Sequence, residues 1–305
     1  MLNMKRLTIL FAGIIVLLSL AVPSRAQQSS DTYFPYPMPP DSITNLNRRC
    51  NFLLEHFWDY CDLKKAFSSK AKMRQAFADF LSFMPYADQD KVHEAVATLG
   101  KKLDKQPDDL LFLAEEAEAQ VMGDSCQYYS EEVFLAFAQA VVNNKRVNST
   151  QKLRYEQQLR QIGGTQPGMI APDLEYTDRN GVKRHLAADS ANIVVLYFND
   201  PDCSDCHLAR VKLDANIQMT RLIDKNLVKV VCIYPGDYSP EWAEAVASYP
   251  QEWIVGAAPE ADLVYHIKEF PSFYLLDDTH KIHAKNYSVD EVLEVARRLD
   301  QRVRH

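Results

Sequence analysis

Ile193-Val194-Val195-Leu196-Tyr197-Phe198-Asn199-Asp200-Pro201-Asp202-Cys203-Ser204-Asp205-Cys206-His207 is the stretch on which the reading of this 305-residue chain turns. The unbroken apolar run from Ile193 to Phe198 reads as a strand buried on both faces. Asn199 to Asp202 break it. Cys203 and Cys206 follow at the spacing of a Cys-x-x-Cys redox pair, and Leu208, Val211 and Leu213 open a helical pattern. This order puts Cys203 at a helix N-terminus, where free N–H groups and the helix dipole favour a thiolate. The thiolate is the reactive form of cysteine.

Three other chemistries share the motif. Cys203 to His207 also spells the attachment signature of c-type haem, but haem attachment does not call for a buried strand ahead of it. Zinc wants four ligands, usually with a second close Cys or His pair. Cys50, Cys61, Cys126 and Cys232 are scattered singly, and His280 and His283 are the one close His pair. A purely structural disulfide is the remaining option. The strand–loop–helix order favours redox chemistry, with no metal.

Outward from the motif, residues 1–26 read as a secretory signal. Lys5 and Arg6 precede the apolar run Leu7 to Val22, Pro23 breaks it, and Ser24-Arg25-Ala26 offers small residues before a cut. The run is shorter than the roughly twenty residues of a membrane span, so no stable span is expected after cleavage. The mature chain is expected in the periplasm or another extracytoplasmic space that permits disulfides. The whole chain carries 34 basic and 41 acidic residues. Removal of Lys5, Arg6 and Arg25 leaves 31 against 41, a net charge of −10. No basic stripe offers a nucleic-acid footprint.

Residues 27–40 read as an extended lead-in, because Pro35, Pro37, Pro39 and Pro40 forbid a helix. Residues 41–162 read as an all-helical domain. Leu46, Cys50, Leu53, Leu54, Phe57, Trp58 and Cys61 fall on one helical face. Five further helices are expected over about 70–84, 88–105, 108–122, 130–144 and 149–162. On one continuous helix, Cys50 and Cys61 would lie about 16 Å apart, beyond the ~7 Å that a disulfide spans. Both read as core thiols, and Cys126 as a loop cysteine of undecided pairing.

Gly163 to Gly168 is the best boundary, a linker between two folding units. Residues 169–305 form the second. Asp178 to Gly181 ends in Asn-Gly, a tight-turn signal between two short strands. Leu227 to Tyr234 reads as a strand beside Ile193–Phe198, with Cys232 as core filler. Helices are expected at 239–248 and 260–267, and a short strand at 253–255. A hairpin spans 272–285, and an amphipathic helix closes the chain over 288–303.

With these parts in order, the segment from about Thr165 resembles the thioredoxin-like fold, closest to the extracytoplasmic thiol–disulfide oxidoreductases of bacteria. The likeness rests on Gly168-Met169-Ile170-Ala171-Pro172-Asp173-Leu174, on Tyr197 to Cys206, and on Phe270-Pro271-Ser272-Phe273-Tyr274-Leu275-Leu276-Asp277. It implies an α/β C-terminal domain, a central mixed sheet flanked by helices, behind the all-α N-terminal domain. It implies that Cys203 attacks and Cys206 resolves, and that Pro271 matches the cis-proline facing the pair. Phe270 then presents backbone to an extended substrate, while Asp202, Ser204, Asp205 and His207 tune the pair.

The chain departs from the family pattern in places. Asp202 stands where many members carry Trp, Ser204-Asp205 replaces Gly-Pro, and Tyr197 occupies the site of a buried carboxylate in other thioredoxins. Leu196 and Asp200 stand where related peroxiredoxins want Pro and Thr or Ser, which argues against a peroxidase. The helical half, from Phe34-Pro35-Tyr36-Pro37 through Glu55-His56-Phe57-Trp58-Asp59 to Phe80-Leu81, resembles an uncharacterised domain found ahead of thioredoxin modules in exported proteins of gram-negative gut bacteria.

The expected function is disulfide exchange with disulfide-bearing exported proteins. No cofactor is expected, and an unidentified electron donor must re-reduce the pair. The alternative is a partner-binding protein whose thioredoxin-like domain is a redox-inert scaffold.

Overall fold

A computed structural model describes residues 32–123, 126 and 128–304. The expected signal segment 1–26, and the lead-in as far as Asp31, lie outside the described residues.

The helical half runs α1 (Leu46–His56), α2 (Leu63–Ala66), α3 (Lys70–Ser82), α4 (Gln89–Lys102), α5 (Pro107–Val121), α6 (Glu131–Asn143) and α7 (Ser149–Gln161). Local chemistry sets four of these seven helix starts. The side chains of Asn45, Ser130 and Asn148 accept the N–H groups of Arg48, Val133 and Gln151, satisfying donors that a helix start leaves free. Pro107 opens α5 where its missing N–H costs nothing. The apolar faces meet in one core, with Phe57, Phe77, Phe80, Phe134 and Phe137 fully buried.

The first helix departs from expectation. The periodicity predicts one helix reaching Cys61, but α1 ends at His56 and the chain turns through Phe57–Tyr60. Phe57 and Trp58 are adjacent and both buried, and the turn carries both rings into the core. Cys61 therefore lies beyond the helix, half-buried, and Cys50 and Cys61 are free thiols.

The C-terminal part runs β1 (Glu175–Asp178), β2 (Lys183–His185), β3 (Ile193–Phe198), α8 (Ser204–Asp214), α9 (Ile217–Asp224), β4 (Val228–Tyr234), α10 (Pro240–Ala245), β5 (Ile254–Ala257), α11 (Ala261–Val264), β6 (Ser272–Asp277), β7 (Ile282–Tyr287) and α12 (Val289–Arg304). They build a mixed sheet in the order β2-β1-β5-β4-β3-β6-β7. β3 is flanked by parallel β4 and antiparallel β6, so its backbone is paired on both sides. Its side chains alternate between two cores. Val195 and Tyr197 pack with α8, α9 and α12 residues. Val194, Leu196 and Phe198 pack with Tyr265, Tyr274 and the Ala171–Leu174 lead-in. Burial on both faces is why this strand is apolar without alternation.

Gly163–Thr165 forms one tight helical turn, with the Thr165 hydroxyl donating to Gln161 O and its side chain buried. The two halves touch at Glu131, the first residue of α6. Its carboxylate accepts from Lys285 Nζ at 2.5 Å, Gln166 Nε2 at 2.7 Å and His266 at 3.0 Å. Tyr129 OH donates to it at 2.9 Å. Burial alone would raise the Glu131 carboxyl, but these donors and the Lys285 charge hold it down to about 2.

Candidate redox site

β3, an interior strand, delivers the chain to the redox loop at its C-terminal end. Asn199 to Asp202 turn it, and Cys203 is the N-cap of α8. Its backbone is extended, its C=O accepts the N–H of His207 at 3.0 Å, and its Sγ accepts the N–H of Cys206 at 3.2 Å. The sulfur thus takes the place that a serine oxygen takes at other helix starts. The helix dipole and a free N–H both favour negative charge on it.

Cys206 lies one turn inside and is buried. Burial, with the Cys203 contact second, pushes its thiol up to about 12. The pair is therefore unequal: Cys203 is half-exposed at the helix end, and Cys206 is a protonated thiol behind it. Both are free thiols.

Across the site, the Phe270–Pro271 peptide bond is cis. The Cys203 thiol faces the Phe270 carbonyl at 3.9 Å. Phe270 is exposed and Pro271 half-buried, 67 positions or more beyond Cys203. The fold brings these four residues together.

The remaining named residues sit around them. Ser204 is the exposed first residue of α8, and Asp205 is an exposed acid in its first turn. Asp202 is exposed, and its N–H donates to Asp200 Oδ1 at 2.8 Å. His207 is exposed, and Arg210 meets its Nδ1 at 3.0 Å.

A buried layer beneath the site is absent from the motif-level reading. Tyr197 is fully buried, stacked on Phe273, and its hydroxyl donates to the Cys206 carbonyl at 2.8 Å. Asn199 is buried, donates to Cys232 Sγ at 2.7 Å and accepts from Tyr249 at 3.3 Å. Burial raises the Cys232 thiol well above its usual range. Arg210 lies over the Tyr249 ring at 4.7 Å. The parallel register of β3 and β4 sets Tyr197 beside Cys232. Among the described residues, no cluster of three or more His, Cys, Asp or Glu side chains is arranged to hold a metal. No helix among them is long and apolar enough to cross a membrane.

Comparison with known proteins follows the same division. Residues 21–163 match the model of a domain of unknown function, DUF5106. No curated protein matches the chain. A thioredoxin-like protein from Bacteroides caccae is similar over 88% of this chain and 99% of its own, at 20% identity and a TM-score of 0.71. A conserved protein of unknown function from Bacteroides fragilis aligns with 43% of this chain and 98% of its own, at 28% identity and a TM-score of 0.41. A domain of a possible thiol-disulfide isomerase from Cytophaga hutchinsonii covers 46% of this chain and 96% of its own, at 22% identity and a TM-score of 0.38. The Bacteroides caccae likeness spans both halves. The chain thus joins a helical segment matching DUF5106 to a C-terminal part with the thioredoxin-like fold.

Proposed function

We propose that the chain is an exported thiol–disulfide oxidoreductase acting on polypeptide disulfides. The Cys203 thiolate attacks one sulfur of a substrate disulfide. A mixed disulfide forms, and the other substrate sulfur leaves as a thiolate that takes up a proton. Cys206 then loses its proton and attacks Cys203 Sγ, releasing the second substrate thiol. Two electrons have moved to the substrate, and the protein holds the Cys203–Cys206 disulfide. A dithiol donor must return the pair to the reduced state. The same steps in reverse, or stopped at the mixed disulfide, give oxidation or isomerisation.

One observation carries this reading: the half-exposed Cys203 sulfur sits at the α8 N-terminus with the Phe270 carbonyl opposite it and the raised Cys206 thiol behind it. Reduction of insulin by the purified protein with a dithiol donor tests it. Turbidity from released insulin B chain is expected with the parent protein and lost in Cys203→Ala. No reduction by the parent protein would overturn the assignment. Export rests on residues 1–26, and N-terminal sequencing of the protein from its native cell envelope tests the cut after Ala26.

A further inference from the structure

A cleft of about 830 Å³ opens between the helical half and the redox face. Tyr129 and Glu132, at the start of α6, form one wall. Leu208, Phe270 and Pro271 line the other side. Leu208 is 54% exposed and Phe270 37% exposed, so the floor beside Cys203 is apolar and open. The cleft reaches Asp205 and Phe270, and the Phe270 carbonyl faces Cys203 at 3.9 Å.

Its charge is one-sided. Five carboxylates and two ammonium groups line it. Glu131 and Lys285 neutralise each other in their buried pair. Lys268 is held over the Tyr129 ring at 4.4 Å. Asp205, Glu269, Glu132 (which also meets His93 Nε2 at 2.7 Å) and Glu291 (which accepts from Ser288) outnumber Lys268 as an acidic rim, and Asp200 and Asp202 continue it around the redox loop. Acids facing a desolvating apolar floor favour cations over anions by summed field as well as by contact.

We propose that this cleft docks an extended polypeptide segment carrying Lys or Arg beside its cysteine, with the helical half as one wall of the substrate site. The apolar floor takes the backbone and aliphatic stems, and the rim takes the cationic heads. The helical half then selects substrates and is not a passive appendage. Delivery of the cysteine to Cys203 rests on the exchange chemistry proposed above. Docking itself does not.

Binding is therefore read without chemistry. Two fluorescein-labelled peptides, with serine in place of the central cysteine and flanked by either Lys or Glu, are titrated with the full chain and followed by anisotropy. The Lys peptide is expected to bind about tenfold more tightly at low salt. The gap should close in about 1 M salt, where screening shortens to about 3 Å. Glu269→Gln with Glu291→Gln should remove most of the preference, and Glu132→Gln a further two- to threefold. Equal binding, or a preference for the Glu peptide, overturns the proposal. A preference untouched by Glu132→Gln overturns the part given to the helical half. Cysteine versions of the peptides, presented as mixed disulfides, report exchange separately. Docking without exchange would sink the redox reading alone.

Discussion

Cys203 holds its sulfur 3.2 Å from the backbone N–H of Cys206, so the second cysteine's own amide stabilises negative charge on the first. The same turn buries the Cys206 side chain. One turn of helix therefore leaves one thiol half-exposed at the helix start and the other buried behind it.

Alkylation should follow that inequality. In the reduced protein at neutral pH, limiting iodoacetamide is expected to label Cys203 first, read by peptide mass spectrometry. Burial and the Cys203 contact push Cys206 up to about 12, so its labelling should appear only at strongly alkaline pH. Cys232, fully buried, should label only in denaturant. Preferential labelling of Cys206 would exchange the roles of the pair.

The Cys206 shift also sets a stability profile. The folded state keeps this thiol protonated after the unfolded chain, at its ordinary 9.0, has ionised. The unfolded state then binds fewer protons, so stability falls as pH rises from about 9 toward about 12. Cys206→Ala should flatten that part of a urea-denaturation profile. An unchanged slope would mean that other groups set it.

Glu131 gives the opposite sign. Its carboxyl sits near 2 in the fold against an ordinary 4.5, so its stabilisation is present above 4.5 and lost as pH falls toward 2. Glu131→Ala leaves the Lys285 ammonium buried without its partner and should cost about 3–5 kcal/mol. Replacing both by apolar residues, Glu131→Leu with Lys285→Met, should recover much of that loss. Chemical denaturation of the three proteins decides it. A loss below about 1 kcal/mol for Glu131→Ala would mean the pair behaves as a surface contact.

Some features of the fold are written locally in the sequence, and others form only on folding. The ends of α5, α6 and α7 lie within one or two residues of expectation, because Pro107, Ser130 and Asn148 act locally. α1 was overextended because periodicity does not show that adjacent Phe57 and Trp58 both turn inward. The order of strand, Cys-x-x-Cys and helix was legible, since β3 is buried on both faces by its apolar run. The Glu131 cluster was not. As a sequence feature, Glu131 is an ordinary acid in a first helical turn, and its partner His266 lies 135 positions away. Tyr197 stands out in the sequence as a departure at a buried-carboxylate position, but only the folded pleat aims its hydroxyl at the Cys206 carbonyl.

The C-terminal unit should fold on its own. Residues 165–305 carry the whole sheet and both of its cores. Without α6, Lys285 would open to water and not be stranded. The fragment is expected to be soluble and cooperatively folded, with a lower melting temperature than the full chain. An insoluble or unfolded fragment would show that the helical half completes its core.

The potential should lie at the reducing or isomerising end. Asp202 and Asp205 are exposed beside Cys203, Asp200 is half-buried, and His207 is turned to Arg210. Acids near a thiolate disfavour it, so the reduced state gains little. We predict a value below roughly −180 mV, against roughly −120 mV for a dedicated oxidase. Asp205→Asn should move it upward. Equilibration in glutathione buffers gives the number, and a value near the oxidase end would withdraw the reductase assignment.

The central claim is that Cys203 attacks and Cys206 resolves. Cys206→Ala, expressed in the native envelope and acid-quenched, should accumulate mixed disulfides with polypeptides, every one through Cys203 and released by dithiothreitol. Cys203→Ala should give none. Conjugates in Cys203→Ala, or none in either variant, would contradict the account.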